Sequence, residues 1–232
     1  MKKLGILGGM SWESSAVYYR LLNEGVRARA GGQGGDPLAS AKLVMSSVNF
    51  GDLAKAMAEG RWDAVSATLV AEAKGLEAAG VEAMLIASNT IHKVAPAVSG
   101  AISVPLLHIA DALGAAIKAS GATSPLLLAT RFTMEEPFYR DYLAERGIGV
   151  RVPDKAGRDE LHRIIFEELC LGKVLPASKV RALEIVAASG GDGIILGCTE
   201  FMLLLSAADF AVPVFDTTVL HVEAALDFML PS

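Results

Sequence analysis

Two stretches end a short apolar run on a residue that can move protons. Gly193-Ile194-Ile195-Leu196-Gly197-Cys198-Thr199-Glu200 places a thiol after a run too short for a helix. Ala83-Met84-Leu85-Ile86-Ala87-Ser88-Asn89-Thr90 repeats the layout with a hydroxyl where the other has the thiol. Both runs read as buried strands, with Gly197 expected to let the backbone turn. A thiol beside the first turn of a following helix meets free N–H groups and the positive end of the dipole, so Cys198 is expected to titrate low. The bland alternative is an inert buried cysteine; the strand-end position favours the reactive one. Cys170, among apolar neighbours at helical spacing, reads as core. Ser88-Asn89-Thr90 reads equally as a helix N-cap. The two strand ends are expected to face each other across one substrate.

The remaining candidates are weaker. His92, His108, His162 and His221 show no metal-ligand spacing. His92 follows Ser88-Asn89-Thr90, and His221 falls one turn after Asp216; each either orients a reactive group or is a satisfied structural histidine. His162 reads as a surface residue. Gly8-Gly9-Met10-Ser11 forms a tight turn whose N–H groups suit an anion. No nucleotide-binding glycine pattern accompanies it. Glu135/Glu136 and Glu167/Glu168 read as helix-face charges.

The elements that must position these residues alternate between strand and helix. Strands are expected at Leu4–Leu7, Ala41–Val48, Ala83–Ala87, Val104–Leu107, Leu126–Ala129, Ile148–Val152, Gly193–Leu196 and Pro213–Phe215. Helices are expected over Glu13–Ala30 (with Val17, Leu21, Leu22 and Val26 on its apolar stripe), Phe50–Met57, Asp63–Ala79, a short one ending near Pro96, Asp111–Ala119, Thr133–Arg146, Asp159–Leu171, Ser178–Ala188 and Thr217–Leu230. Thr133 reads as an N-cap with Glu135 and Glu136 in the first turn; Gly31 to Pro37 reads as a loop. This order implies an α/β fold with mostly parallel sheets. The chain also looks duplicated. Leu4–Leu7, Ser11-Trp12-Glu13 and Tyr19-Arg20 resemble Leu126–Leu128, Thr133-Met134-Glu135 and Tyr139-Arg140, and the Ser88 and Cys198 stretches match 110 residues apart. We therefore expect two similar lobes, 1–100 and 101–216, related by a pseudo-twofold axis. The C-terminal helix, about 217–232, is expected to pack back on the first. Ligands of open α/β sheets lie at the carboxyl ends of strands, so the cleft between the lobes is the expected site.

Composition narrows the class. With 232 residues, 52% hydrophobic and 20% charged, the chain suits a well-packed globular enzyme and not a disordered one. The net charge of −5 without blocks of like charge offers no nucleic-acid footprint. Leu4 to Met10 is too short and glycine-rich for a signal peptide, and no apolar run approaches the ~18 residues of a transmembrane helix. A cytoplasmic location is expected.

Six segments then carry a family resemblance: residues 7–14 (LGGMSWES), 88–93 (SNTIHK), 129–135 (ATRFTME), 166–172 (FEELCLG), 197–200 (GCTE) and 215–221 (FDTTVLH). Together they resemble the aspartate/glutamate racemases, most closely the branch specific for L-aspartate and L-glutamate. The resemblance implies two Rossmann-like lobes and a cofactor-free two-base reaction on an amino acid, without pyridoxal phosphate or metal. One base removes the α-proton, and an acid on the opposite face returns one. It implies Cys198 and Ser88 as the catalytic pair, Met10, Asn89, Thr90, Thr130, Thr133, Thr199 and Glu200 as substrate-holding residues, and His92 and His221 in support. Similar two-lobed enzymes are often homodimers. Most of the family has Cys where this chain has Ser88; the L-specific branch has a hydroxyl residue, Thr. A hydroxyl is a far poorer base than a thiol, so faster turnover is expected from L to D than from D to L. Two alternatives stay open: a catalytically weakened amino-acid-binding protein of the same fold, and a single-cysteine relative that decarboxylates or isomerises another carboxylate.

Overall fold

A computed structural model of the chain describes residues 1–30 and 36–231. Most of the glycine-rich loop expected at Gly31 to Pro37 lies outside the described residues. The chain divides into two compact units, Met1–Ile109 with His221–Ser232, and Ala110–Leu220.

The first unit opens with β1 (Leu4–Gly8), α1 (Trp12–Ala30), β2 (Leu43–Ser47), α2 (Phe50–Ala58), α3 (Trp62–Ala78) and β3 (Ala83–Ile86). A 3-10 turn (Thr90–Val94), α4 (Ala95–Ser99) and β4 (Leu106–Leu107) follow. The second unit holds α5 (Ile109–Ser120, begun on the last residue of the first), β5 (Leu126–Leu128), α6 (Arg131–Glu135), α7 (Pro137–Ala144) and α8 (Lys155–Glu167). After these come a 3-10 turn (Leu169–Leu171), α9 (Pro176–Ser189), β6 (Ile194–Leu196), two further 3-10 turns (Phe201–Leu203 and Ala207–Asp209) and β7 (Val214–Asp216). The last helix, α10 (Thr217–Met229), belongs to the first unit from His221 onward.

Each unit is built on a parallel sheet, in the order β2-β1-β3-β4 in the first and β5-β6-β7 in the second. This is the expected α/β class with two parallel-sheet lobes. Buried parallel strands need both faces covered, which explains why they read as unbroken apolar runs. Every residue of β1, β3, β5 and β6 is buried. In the first unit, α1 and α10 enclose Leu4, Ile6 and Leu85 with Tyr18, Leu22, Val26, Val222, Leu226 and Met229. The buried stripe of α1 runs through Ser14, Ser15, Tyr18, Leu22 and Val26, so the expected Val17 and Leu21 sit at its margin. Pro105 precedes β4 at the sheet edge, where its missing N–H costs no ladder bond.

Several boundaries differ from expectation for local reasons. The Thr133–Arg146 helix is two, because Pro137 cannot continue α6 and instead starts α7. Thr133 is not a cap. Thr130 is, its side chain accepting from the Thr133 N–H, and Glu135 falls in the last turn of α6. The Ile148–Val152 strand reduces to one bridge, Leu126 to Arg151, with Pro153 two residues further on. Pro96 opens α4 and does not end a helix. Asp154 caps α8, accepting from Gly157 N–H at 2.8 Å, which starts that helix four residues early. Glu168 is not a helix-face charge; it is 5% exposed, 2.8 Å from Arg163 and bonded by the Ser178 hydroxyl. Met57 is buried in α2. Among the described residues no helix is long and apolar enough to cross a membrane.

The α1–α10 packing gives a stability prediction. A Cβ on Gly25 would lie 2.2 Å from Leu226 Cδ1, in the fully buried core. Gly25→Ala should therefore lower the denaturant midpoint by the equivalent of about 1–3 kcal/mol at constant m. An unchanged midpoint would show that the two helices are not close-packed there.

Candidate active site

The sequence candidates gather at the carboxyl ends of the strands, within each unit separately. In the second unit, Gly197 N–H donates to Leu128 O at 2.8 Å, and Cys198 follows that bond. Gly197 is not in the left-handed region, so it does not serve to turn the chain. It serves close approach: a Cβ there would lie 2.5 Å from Leu127 Cδ1 and 3.2 Å from Ala129 Cβ. In the first unit, Ala87 N–H donates to Leu7 O at 2.9 Å, and Ser88 follows. Ser88 and Cys198 thus occupy the same position in their own sheets, one residue past a bond to the neighbouring strand.

Cys198, Thr199 and Glu200 form one cluster, 7%, 4% and 4% exposed. The Cys198 Sγ donates to Glu200 Oε2 at 2.9 Å, and Thr199 Oγ1 donates to the same oxygen at 2.8 Å. No α-helix starts directly after Cys198; the next element is the three-residue turn Phe201–Leu203, whose dipole is negligible. The expected low thiol pKa is therefore wrong in direction. Burial pushes the Cys198 thiol well above its ordinary range, the Glu200 charge adds to the rise, and Cys170 adds a smaller amount. Cys170 itself is half-buried on the turn Leu169–Leu171, outside the α-helical core expected for it.

Thr130, two residues past the adjacent strand β5, and Thr133, in the α6 that it caps, are buried with hydroxyls 3.2 Å apart. The Arg131 N–H donates to His162 Nδ1 at 3.3 Å. His162 is therefore not a plain surface residue. It is half-buried against Phe166, burial lowers its pKa, and it ties α8 to the Thr130 segment.

In the first unit, Met10, Ser88, Asn89, Thr90 and His92 are all buried at the ends of β1 and β3. Gly9 has φ 87° and a Cβ there would lie 2.3 Å from Val48 O, so the turn after β1 needs glycine. Its N–H donates to Ser15 Oγ at 2.7 Å, which removes it from the anion cradle expected there. Ser14 Oγ donates to Ala87 O at 3.1 Å, and His92 Nδ1 lies 2.6 Å from Ser88 O. His221 is fully buried between Tyr18 Oη and Leu107 O, 2.9 Å from each. Among the described residues no group of three or more His, Cys, Asp and Glu side chains is arranged to hold a metal ion.

Comparison with known proteins decides the family. The model of the Asp/Glu/hydantoin racemases matches residues 7–225. The chain belongs to the Asp/Glu/hydantoin racemase family. Its fold superposes on a Yersinia pestis structure assigned as an Asp/Glu racemase with a TM-score of 0.88, at 45% identity over 99% of both chains. It superposes on an aspartate racemase homologue from Pyrococcus horikoshii OT3 with a TM-score of 0.82, at 35% identity over 99% of both chains. It is 30% identical over 111 residues to a glutamate racemase of Shewanella loihica, a stretch of 48% of this chain and 41% of that protein.

Within this member of the family, sequence reasoning missed Ser14 as the partner of Ala87, Tyr18 as the partner of His221 and His162 as the partner of Arg131. Ser14 and Tyr18 left one usable signal, polar groups on the buried stripe of α1. His162 left none, because its partner is a main-chain N–H on another element.

The Cys198–Glu200 contact predicts a titration. Removing the Glu200 charge removes one cause of the raised thiol pKa, so Glu200→Gln should lower it. The pH midpoint for alkylation of Cys198 by iodoacetamide should fall. An unchanged or higher midpoint would contradict the contact.

Proposed function

We propose that the protein racemises an acidic amino acid, aspartate or glutamate, by moving the α-proton without a cofactor. The observation that carries this reading is the buried Cys198 thiol hydrogen-bonded to Glu200 at a strand end, in a chain of the racemase family. The relatives' names, aspartate racemase homologue and glutamate racemase, support the substrate class.

In this reading Glu200 takes the thiol proton as substrate arrives. The substrate's α-ammonium supplies positive charge that offsets Glu200 and favours the thiolate. The thiolate removes the α-proton of the L-enantiomer, and the C–H electron pair passes into the substrate carboxylate. Donors among Asn89, Thr90, Thr130, Thr133 and Thr199, beside Met10, stabilise that growing charge. Ser88 gives its hydroxyl proton to the opposite face and yields the D-enantiomer. Ser88 regains a proton, Glu200 gives one up, and solvent connects the two, so the cycle closes with no net proton change.

The pair is unequal, and equilibrium limits how that inequality shows. The two enantiomers have equal free energy in water, so kcat/KM must be the same in both directions. The faster L-to-D turnover expected from a poor Ser88 base therefore appears as a higher kcat matched by a higher KM.

Chiral chromatography of product formed from each enantiomer of aspartate and glutamate tests the assignment. We expect racemisation of at least one pair, with kcat larger from L than from D. Cys198→Ala should reduce it by about a thousandfold or more. Equal kcat in both directions would end the directional account. If no enantiomer is turned over while L-glutamate protects Cys198 from alkylation, the chain is an amino-acid-binding protein of this fold.

A further inference from the structure

We propose that His92 is a positioning residue that holds Ser88 for delivery of its proton; this rests on the racemase reading above. His92 lies in the turn just after Ser88 and is 2% exposed. The backbone N–H of Ile109, the first residue of α5, donates to His92 Nε2 at 3.2 Å. A main-chain N–H can only donate, so Nε2 carries no proton and the neutral ring carries its proton on Nδ1. That nitrogen is 2.6 Å from Ser88 O, so His92 donates to the carbonyl of the proposed acid. The tautomer is thus set by the fold.

The surroundings keep the ring neutral. Burial pushes its pKa well below the ordinary value, and the facing His108 and His221 lower it further. The His108 ring lies 4.4 Å and the His221 ring 6.0 Å from that of His92. His221 is fixed in the opposite tautomer: its Nε2 must donate to Leu107 O, leaving Nδ1 to accept from Tyr18 Oη. A charged His92 would donate from both nitrogens and would break the bond from Ile109.

The segment that carries Ser88 is pinned at successive main-chain groups. Leu7 O holds Ala87 N–H, Ser14 Oγ holds Ala87 O, and His92 Nδ1 holds Ser88 O. Of these, only the His92 bond lies on Ser88 itself. A weak hydroxyl acid depends strongly on its distance and angle to Cα, because a misplacement of ~1 Å can cost about a hundredfold. The thiol of Cys198 is held by Glu200 and does not depend on this bond.

A purely structural role is the competing account, since Nε2 also satisfies the N-terminus of α5. Two substitutions separate the roles. His92→Gln keeps an acceptor near the Nε2 position and loses the donor at Nδ1. His92→Asn keeps a donor near Nδ1 and loses the acceptor. Each variant and the parent is incubated with the L-enantiomer in D2O. D-product formation and α-deuterium in recovered L-substrate are followed together, with thermal melts as the control for folding. We expect His92→Gln to cut D-product formation by about tenfold or more while deuterium entry into L-substrate changes by less than about twofold. We expect His92→Asn to recover product formation to within about threefold of the parent, despite an equal or greater loss of melting temperature. Equal losses of product formation and exchange in His92→Gln, or losses in both variants that follow melting temperature, would overturn the positioning role and leave the racemase reading intact. Absence of both product and exchange in the parent, for aspartate and for glutamate, would overturn the racemase reading and this inference with it.

Discussion

The hydrogen bond from Cys198 to Glu200 is the interaction on which the rest of the account depends. A thiol buried at a strand end is held neutral by desolvation alone, and a carboxylate beside it raises the cost of ionisation further. The same carboxylate is the group best placed to take the proton. Burial, charge and hydrogen bond therefore combine into a thiol that rests protonated and has its acceptor in contact. This differs from a cysteine activated by a helix N-terminus, which would rest as a thiolate and react with any electrophile. A protonated resting thiol suits a site that must meet a weakly acidic C–H without being consumed by side reactions.

The parallel sheets supply the precision. In each unit a main-chain bond to the adjacent strand stops one residue before the side chain of interest. Close packing on β5 requires glycine at position 197, where a methyl group would strike Leu127 and Ala129. Around Ser88 the work passes from the ladder to side chains, with Ser14 and His92 bonding successive carbonyls. One unit thus sets its strand-end residue by packing and an adjacent carboxylate, and the other by hydrogen bonds to the chain that carries it.

Much of the architecture was legible in the sequence because buried parallel strands leave an unmistakable trace. Leu4–Leu7, Ala83–Ala87 and Gly193–Leu196 are apolar throughout and too short for helices. What failed was decided by single residues or by distant partners. Pro137 divides a helix whose hydrophobic pattern runs on without a break. Thr130 wins the cap from Thr133 because the helix starts one residue after it. A helix after Cys198 would lower the thiol's pKa, but a three-residue turn stands there and burial raises it. Glu200 was visible as a polar neighbour, but only the folded turn aims its carboxylate back at the thiol. His92 was visible beside Ser88, while its tautomer depends on Ile109, which no local pattern connects to it.

The most direct test is proton NMR of L-aspartate and L-glutamate in D2O with the Ser88→Ala variant. Cys198 and Glu200 remain in that variant and the proposed acid is gone. The account predicts that the α-proton signal of the L-enantiomer is lost by exchange while little or no D-enantiomer forms. Loss of exchange together with loss of racemisation, or retention of full racemisation, would contradict it.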